Sequence, residues 1–248
     1  MEIDYSIIVP AYNEEALLES TLNHLKKAMA GVPLQGEIIV SDNNSTDRTA
    51  EIANRLGATV IFEPINQISR ARNTGVRVAA GRYLVFVDAD TLVPPALLQK
   101  ALNNLESGHC CGGGASINAD APISLGARWV LEYWNMISRI LRLAAGCFIY
   151  CRRDDFEACG GFSEKVYATE EIWFSRNLKR AAKPHHRQFC IITEPRVISS
   201  NRKLVWHSQT KQVLLFIALS LFPFFVRYKG LCGFWYKRPD INSRKSRL

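Results

Sequence analysis

The last third of the chain is almost without acid. From Lys179 to Leu248 there are 15 Lys/Arg and two acids, Glu194 and Asp240, a net of +13, whereas residues 1–178 hold 16 basic and 21 acidic residues, a net of −5. The overall charge of +8 on 248 residues therefore divides into an acidic body and a basic end, an asymmetry that needs a polyanionic partner or substrate. Nucleic acid is not that partner: no recognition-helix, RNP or zinc-finger pattern accompanies the cations, and the acidic body would repel a phosphate backbone. The seven cysteines contain no C-x-x-C pair, which argues against zinc and thioredoxin-like sites and for reduced, mostly buried thiols. No apolar run reaches the ~20 residues that span a bilayer; the longest, Val213 to Val226, contains Pro223 and is expected as a buried or interfacial helix. The start, MEIDYSIIVPAYNEE, lacks a basic n-region and a cleavage site, so no signal peptide is expected and the location is expected to be cytoplasmic. With 48% apolar residues, 22% charged and a mean hydropathy of −0.05, a disordered tail, a collagen-like fibre and a polytopic membrane protein are excluded.

What is present first is a rhythm. Tyr5 to Val9 is a β-branched run, and Glu14 to Met29 places Leu17, Leu18, Leu22, Leu25 and Met29 at helical spacing. Strand and helix then alternate: strands over Glu37–Val40, Ala58–Phe62 and Tyr83–Val87, and helices over Ser45–Leu56, Ser69–Ala79 and Pro95–Leu105. Such alternation predicts a largely parallel sheet covered on both faces, with its ligand crevice at the C-terminal strand ends. Beyond Glu106 the rhythm changes. Gly108–Gly114 reads as a flexible stretch, Ser124–Ala145 as a helix with a Trp-rich apolar face (Trp129, Tyr133, Trp134, Ile137, Leu141), Gly146–Cys151 as a strand and Thr169–Ala181 as a charged helix. Three parts are expected: residues 1–105, residues 106–200, and 201–248 as a basic helical extension.

The chemistry concentrates in Val85-Phe86-Val87-Asp88-Ala89-Asp90-Thr91, an apolar strand ending in two carboxylates. If strand geometry continues through Asp90, both project to one side. Hard divalent cations such as Mg²⁺ or Mn²⁺ favour carboxylate oxygens together with substrate phosphates; the alternative is that Asp90 or Thr91 caps the next helix and Asp88 is a loop acid. Where a dinucleotide enzyme needs G-x-G-x-x-G after its first strand, and a nucleotidyltransferase a Gly-rich loop containing Arg, this chain has Pro10 to Glu15.

Val9-Pro10-Ala11-Tyr12-Asn13-Glu14-Glu15, Ser41-Asp42-Asn43-Asn44-Ser45-Thr46-Asp47, Arg70-Ala71-Arg72-Asn73-Thr74-Gly75 and the Asp88/Asp90 pair occur in this order, each at a strand end or helix start. Over roughly residues 5 to 180 the arrangement resembles the family 2 glycosyltransferases of the GT-A fold. The resemblance implies an α/β GT-A fold: a Rossmann-like, mostly parallel mixed sheet flanked by helices. It also implies a nucleotide-sugar donor, UDP- or GDP-linked, bound by residues 1–105, with the acceptor bound by residues 106–200. Pro10, Ala11, Tyr12 and Glu14 would line base and ribose, Asp42 would accept a hydrogen bond from the base, and Asn44, Arg72, Asp88 and Ala89 would complete the donor site. Arg72, in the family's A-R-N pattern, is preferred over Arg70 for phosphate. Asp90, helped by Asp88, would hold the metal, with His207 as a third contact. Cys159-Gly160-Gly161-Phe162 followed by Thr169-Glu170-Glu171 resembles the family's G-G-F segment and acidic motif. The usual Glu-Asp is here Glu-Glu; the family's base falls at Glu171, with Glu170 the other possibility.

The implied reaction is an inverting displacement in which an acceptor hydroxyl, on a glycan or a lipid-linked molecule, attacks the anomeric carbon opposite the departing diphosphate. Arg202 or Lys203 would contact that diphosphate. The apolar stretch Gln212–Val226 with its flanking cations suits peripheral contact with an anionic membrane; a basic solvated tail is the plain alternative. A catalytically silent protein of the same fold that binds a glycan or lipid is the other function class compatible with these motifs.

Overall fold

The structure, a computed structural model, describes residues 2–200 together with Gly230. The expectations for His207, for Arg202 and Lys203, and for an apolar helix over 212–226 lie outside the described residues.

The order of elements in the first half follows the periodicity. Strand β1 (Tyr5–Ala11) leads to helix α1 (Leu18–Ala30), β2 (Gly36–Asp42) to α2 (Thr49–Arg55), β3 (Thr59–Phe62) to α3 (Ile68–Val78), and β4 (Tyr83–Val87), through the two-residue β5 (Thr91–Leu92), to α4 (Pro95–Glu106). Strand β1 is buried from end to end, as a strand covered on both faces must be. Alternation along the strands fills two cores. Ile7, Val9, Val85 and Val87 face the layer of α1, α2 and α4, whereas Ile8, Leu84 and Phe86 face the opposite layer. Helix α3 lies against that second face, and Gly75 allows the approach: a Cβ there would fall 2.4 Å from Ile8 Cγ2 and 2.6 Å from Ser41 Oγ.

The second half adds β6 (Cys110–Ala119), α5 (Leu125–Leu141), β7 (Phe148–Arg152), α6 (Arg153–Ala158), α7 (Glu170–Ala182) and β8 (Gln188–Ser199). All eight strands form one sheet in the order β3-β2-β1-β4-β7-β6-β8-β5. The pairs β1–β2, β1–β4, β2–β3 and β6–β8 are parallel, and β7 runs antiparallel between β4 and β6. This is the mostly parallel mixed sheet expected, and residues 1–105 and 106–200 both contribute strands to it. Four elements depart from the sequence reading. Gly108–Gly114 is no flexible stretch: Cys110–Ala115 are buried within β6. A Cβ at Gly113 would fall 1.8 Å from Cys190 O and 2.6 Å from Tyr150 Oη, so neighbouring strands occupy the space a side chain would take. The long strand β8 and the short β5 and α6 were not anticipated.

Candidate functional site

The C-terminal ends of β1, β2 and β4 carry the first three strand-end motifs. The loop after β1 and the loop after β2 are joined along their length. Asn43 N donates to Ala11 O at 2.8 Å, Asn13 N to Ser45 Oγ at 3.0 Å, Thr46 N to Asn13 Oδ1 at 2.8 Å and Glu14 N to Thr49 Oγ1 at 2.7 Å. Asn13 and Asn44 both adopt positive φ, a conformation asparagine tolerates better than most residues. Pro10 closes the apolar part of β1 and Ala11 is buried beside it; Tyr12 is half-buried at the rim and Glu14 is buried. Asp42 is buried with Oδ1 accepting from Ser45 N at 3.1 Å, and Asn44 is exposed at the turn. These loops form one rigid wall in place of two independent ones.

Helix α3 supplies the centre of the site. Arg72 is completely buried. Its Nη1 donates to Glu170 Oε1 at 2.7 Å, and its Nη2 donates to Asp88 Oδ1 at 3.1 Å and to Gly146 O at 2.9 Å. The guanidinium carbon lies 5.0 Å from the centroid of the Phe162 ring. Burial opposes the arginine's charge most strongly, but the carboxylates of Asp88, Glu170 and Glu171 outweigh it and hold its pKa above the ordinary value. One buried cation thus gathers the strand-end acid, the acidic motif and the loop before β7. Arg72 was expected to face a diphosphate; both its terminal nitrogens are instead engaged with the protein. Arg70 turns the other way, to Glu164 Oε2 at 3.0 Å and Gln67 Oε1 at 3.2 Å.

Asn73, next in the same motif, holds the G-G-F segment: its Nδ2 donates to Phe162 O at 2.9 Å, and Phe162 N donates back to its Oδ1 at 3.0 Å. The ring so placed stacks on Phe174 of α7, centroids 4.2 Å apart. Two distant sequence motifs therefore meet in one cluster, and α7 is seated with its first turn over the crevice.

That first turn carries the acidic pair, and the two acids differ. Glu170 is buried against Arg72. Glu171 is half-buried, with its carboxyl near the Gly146 backbone: a Cβ built on Gly146 would lie 3.9 Å from Glu171 Cδ and 3.3 Å from Arg72 Nη2. Burial first, and then the charge of Glu170, push the Glu171 pKa up to about 8, with Asp88 adding to the rise while Arg72 and the backbone N–H oppose it. A carboxyl poised near neutrality is suited to exchange a proton with a hydroxyl.

The two strand-end acids do not continue the strand. β4 stops at Val87, and Asp88 O accepts from Thr91 N at 3.1 Å, so the pair is carried on a turn and the extended geometry expected for Asp88 and Asp90 is replaced by a tight bend. Asp88 N donates to Cys147 O at 3.3 Å, which ties this turn to the loop carrying Gly146. Ala89 is buried, its carbonyl accepting from Thr21 Oγ1 at 2.8 Å. Asp90 is buried and the Asp88 side chain is 20% exposed. Among the described residues no three His, Cys, Asp or Glu side chains group as a metal site. Two carboxylates two residues apart on one turn, Asp88 partly exposed, still fit a hard cation that takes its remaining ligands from phosphate and water.

Sequence reasoning passed over three positions. Gly146 was read only as a strand start, yet its carbonyl is an Arg72 partner. Glu63, buried after β3, accepts from Thr74 Oγ1 at 2.7 Å and Ile65 N at 2.9 Å, and Asn43 Nδ2 reaches Ile65 O at 2.7 Å. Gln67 binds the carbonyls of Glu164 and Val166, both at 2.9 Å. Asn73 stood within a quoted motif and carried a signal; the other three carried none without the fold.

Comparison with known proteins follows the same lines. Residues 6–160 match the family model for Glycosyl transferase family 2. A validoxylamine A glucosyltransferase of Streptomyces hygroscopicus subsp. limoneus is 34% identical over 103 residues, covering 39% of this chain and 22% of that protein. The chain thus spans about a fifth of the length of this curated relative. Among solved structures, the mannosyltransferase PcManGT from Pyrobaculum calidifontis in complex with GDP-Man and Mn²⁺ superposes with a TM-score of 0.61 at 23% identity, over 81% of this chain and 57% of that one. Glucosyl-3-phosphoglycerate synthase from Mycobacterium tuberculosis, in complex with Mn²⁺, UDP and glucosyl-3-phosphoglycerate, gives 0.60 at 20% identity over 96% and 82%.

Proposed function

The chain belongs to glycosyl transferase family 2, and from that premise we propose that it is an inverting, metal-dependent glycosyltransferase. It moves a sugar from a UDP- or GDP-linked donor to a hydroxyl of a glycan or lipid-linked acceptor, in glycolipid, polysaccharide or cell-envelope glycan synthesis. The setting is cytoplasmic, with peripheral contact at the inner face of the membrane. The observation that carries the proposal is the unlike fate of two adjacent acids: Glu170 is bound at 2.7 Å to a buried arginine, whereas the half-buried Glu171 has its pKa pushed up to about 8. Glu171 is therefore the base and Glu170 the residue that positions it.

In the step proposed, the acceptor oxygen attacks the anomeric carbon, and the bond from that carbon to the diphosphate oxygen breaks with its electron pair leaving on the diphosphate. The acceptor proton passes to the Glu171 carboxylate, and the configuration inverts because attack and departure lie on opposite faces. The joined loops after β1 and β2 hold the nucleoside: Tyr12 offers a ring, Asp42 an acceptor for the base edge, and Pro10, Ala11, Glu14 and Asn44 the remaining wall. Asp88 and Ala89 border the donor phosphates, and Arg72 keeps Asp88 and Glu170 in register. Asp90, with Asp88, would hold Mg²⁺ or Mn²⁺, which when bound supplies positive charge to the leaving diphosphate. Mn²⁺ and nucleotide or nucleotide sugar accompany both structural neighbours, which supports the donor class and the cation.

The test is donor hydrolysis or sugar transfer measured with a UDP- and a GDP-sugar panel in Mn²⁺. Turnover is expected to disappear in Asp90→Ala and on adding a chelator. A rate that survives both changes overturns the metal mechanism, and a folded protein that binds donor without any turnover marks a silent binding protein.

A further inference from the structure

Helix α5 (Leu125–Leu141) is apolar on both sides. Its two fully buried residues are polar, Asn135 and Ser138, and Trp134 packs on the core beside them, but a second set of large apolar side chains points outward. Asn135 forms a reciprocal pair with the Ile117 backbone of β6, Ile117 N donating to Oδ1 at 2.9 Å and Nδ2 donating to Ile117 O at 3.0 Å. Ser138 Oγ donates to Leu143 O at 2.6 Å. These bonds fix the rotation of the helix, so the outward face is specified and is not a slipped core face.

That face carries Leu125 and Trp129, both 77% exposed, Tyr133 at 62% and Ile140 at 67%, with Met136 between them. The spacing of four, four, three and four residues makes one continuous stripe. Arg128, Arg139 and Arg142 are exposed along the same helix and its cap. Glu132 is its one acid, and that acid is bound to Arg196. An outward apolar stripe with Trp and Tyr, bordered by arginines, has the chemistry of a helix lying in a lipid interface, where rings sit at head-group level and cations meet anionic lipid. No described helix is long and apolar enough to cross a membrane, so the contact would lie on the surface.

We propose that the exposed face of α5 docks on an anionic lipid bilayer. The charge argues for that occupant over a second copy of this chain: the exposed charges of α5 and its cap are arginines, its one acid is already paired with Arg196, and a two-fold pairing would bring the arginines of two copies together. The place of α5 in the fold gives the docking a use, which rests on the transferase reading above. Lys179 of α7 donates to Leu141 O at 2.9 Å and Arg142 O at 3.0 Å, and the chain after α5 runs within five residues into Gly146, beside Glu171. A docked α5 therefore sets the acceptor side of the site at the lipid surface.

The experiment is flotation of the full chain with vesicles of phosphatidylcholine alone or with about 30% phosphatidylglycerol, in the absence of donor and acceptor, for the parent and for Trp129→Glu/Tyr133→Glu. The parent is expected to float with the anionic vesicles and the double variant to bind at least ~10-fold more weakly, with its thermal midpoint and its turnover on a water-soluble acceptor unchanged. Equal flotation of parent and variant overturns the proposal. So does a parent that sediments as a dimer and becomes a monomer in the variant without loss of vesicle binding, since a second copy then covers the face. A variant that melts several degrees lower with unaltered vesicle binding also overturns it, since the face is then covered by the chain itself. Because no sugar is transferred in the flotation, failure here leaves the transferase proposal standing, and loss of turnover in Asp90→Ala leaves the docking result standing.

Discussion

Glu171 and Arg72 carry opposite halves of the site's electrostatics, and each gives an expectation. Glu171→Gln keeps the shape and removes the proposed base, so turnover should fall at least ~100-fold while donor affinity stays nearly intact; unaltered turnover would move the role to another group. The same carboxyl leaves a mark on stability. Its pKa is higher in the folded protein, at about 8, so its contribution is fully present below the ordinary glutamate range and is lost as the pH rises through about 8. Glu171→Gln cannot ionise, and its thermal midpoint relative to the parent should climb by a few degrees between about pH 5 and pH 9, checked by calorimetry. Arg72→Gln leaves Glu170 buried without its cation and should cost about 3–5 kcal/mol in chemical denaturation. Arg72→Lys should not restore it, because a single ammonium cannot take the places of two guanidinium nitrogens that point to different partners. The motif containing Arg72 was legible in the sequence, but its role was not: the sequence offered a cation near phosphate, and only the packing revealed three protein acceptors around it.

At the scale of elements, the strand–helix alternation through residue 105 was readable because each element there follows its own period and meets its neighbours in chain order. Beyond it, Gly108–Gly114 reads as a flexible stretch, yet most of it lies in β6. Glycine is poor in isolated strands, and a run of three gives no period to read. Their fitness for β6 comes from outside the segment, from Tyr150, Leu178 and Cys190, which fill the space over them. Gly113→Ala should therefore lower stability by about 2 kcal/mol or more, on the order of 5 °C in the thermal midpoint, even though alanine is the better residue by local preference. An unchanged midpoint would mean that β6 is not packed as described. The helix over 125–141 was legible as a helix with an apolar face, but its direction was not. Of the apolar face, Trp134 packs on the core while Trp129, Tyr133 and Leu141 lie outside, because Asn135 satisfies the Ile117 backbone of β6 and Ser138 the Leu143 carbonyl, groups that an apolar side chain would leave unmet.

For the molecule as a whole, the joined loops and the strand-end acids lie side by side at the C-terminal ends of β1, β2 and β4, so a donor nucleotide should stabilise all of them at once. UDP or GDP with Mn²⁺ is expected to raise the thermal midpoint, by roughly 5–10 °C at a hundredfold excess over Kd, and a nicotinamide dinucleotide to leave it unchanged. The opposite pattern would point to a different ligand class.

The sequence by itself determined the α/β class, the order of the first four strands, the family motifs and the charge division between body and C-terminal end. Each of these is either a local period or a short run of residue types, and both survive in one dimension. The tertiary structure alone decided which of two adjacent glutamates is engaged by a buried arginine, that a glycine run is a central strand, and that the Trp129–Tyr133 side of an apolar helix faces outward. Those outcomes depend on which groups are removed from water together, and that is a property of contacts between residues as far apart in the chain as Arg72 and Glu170.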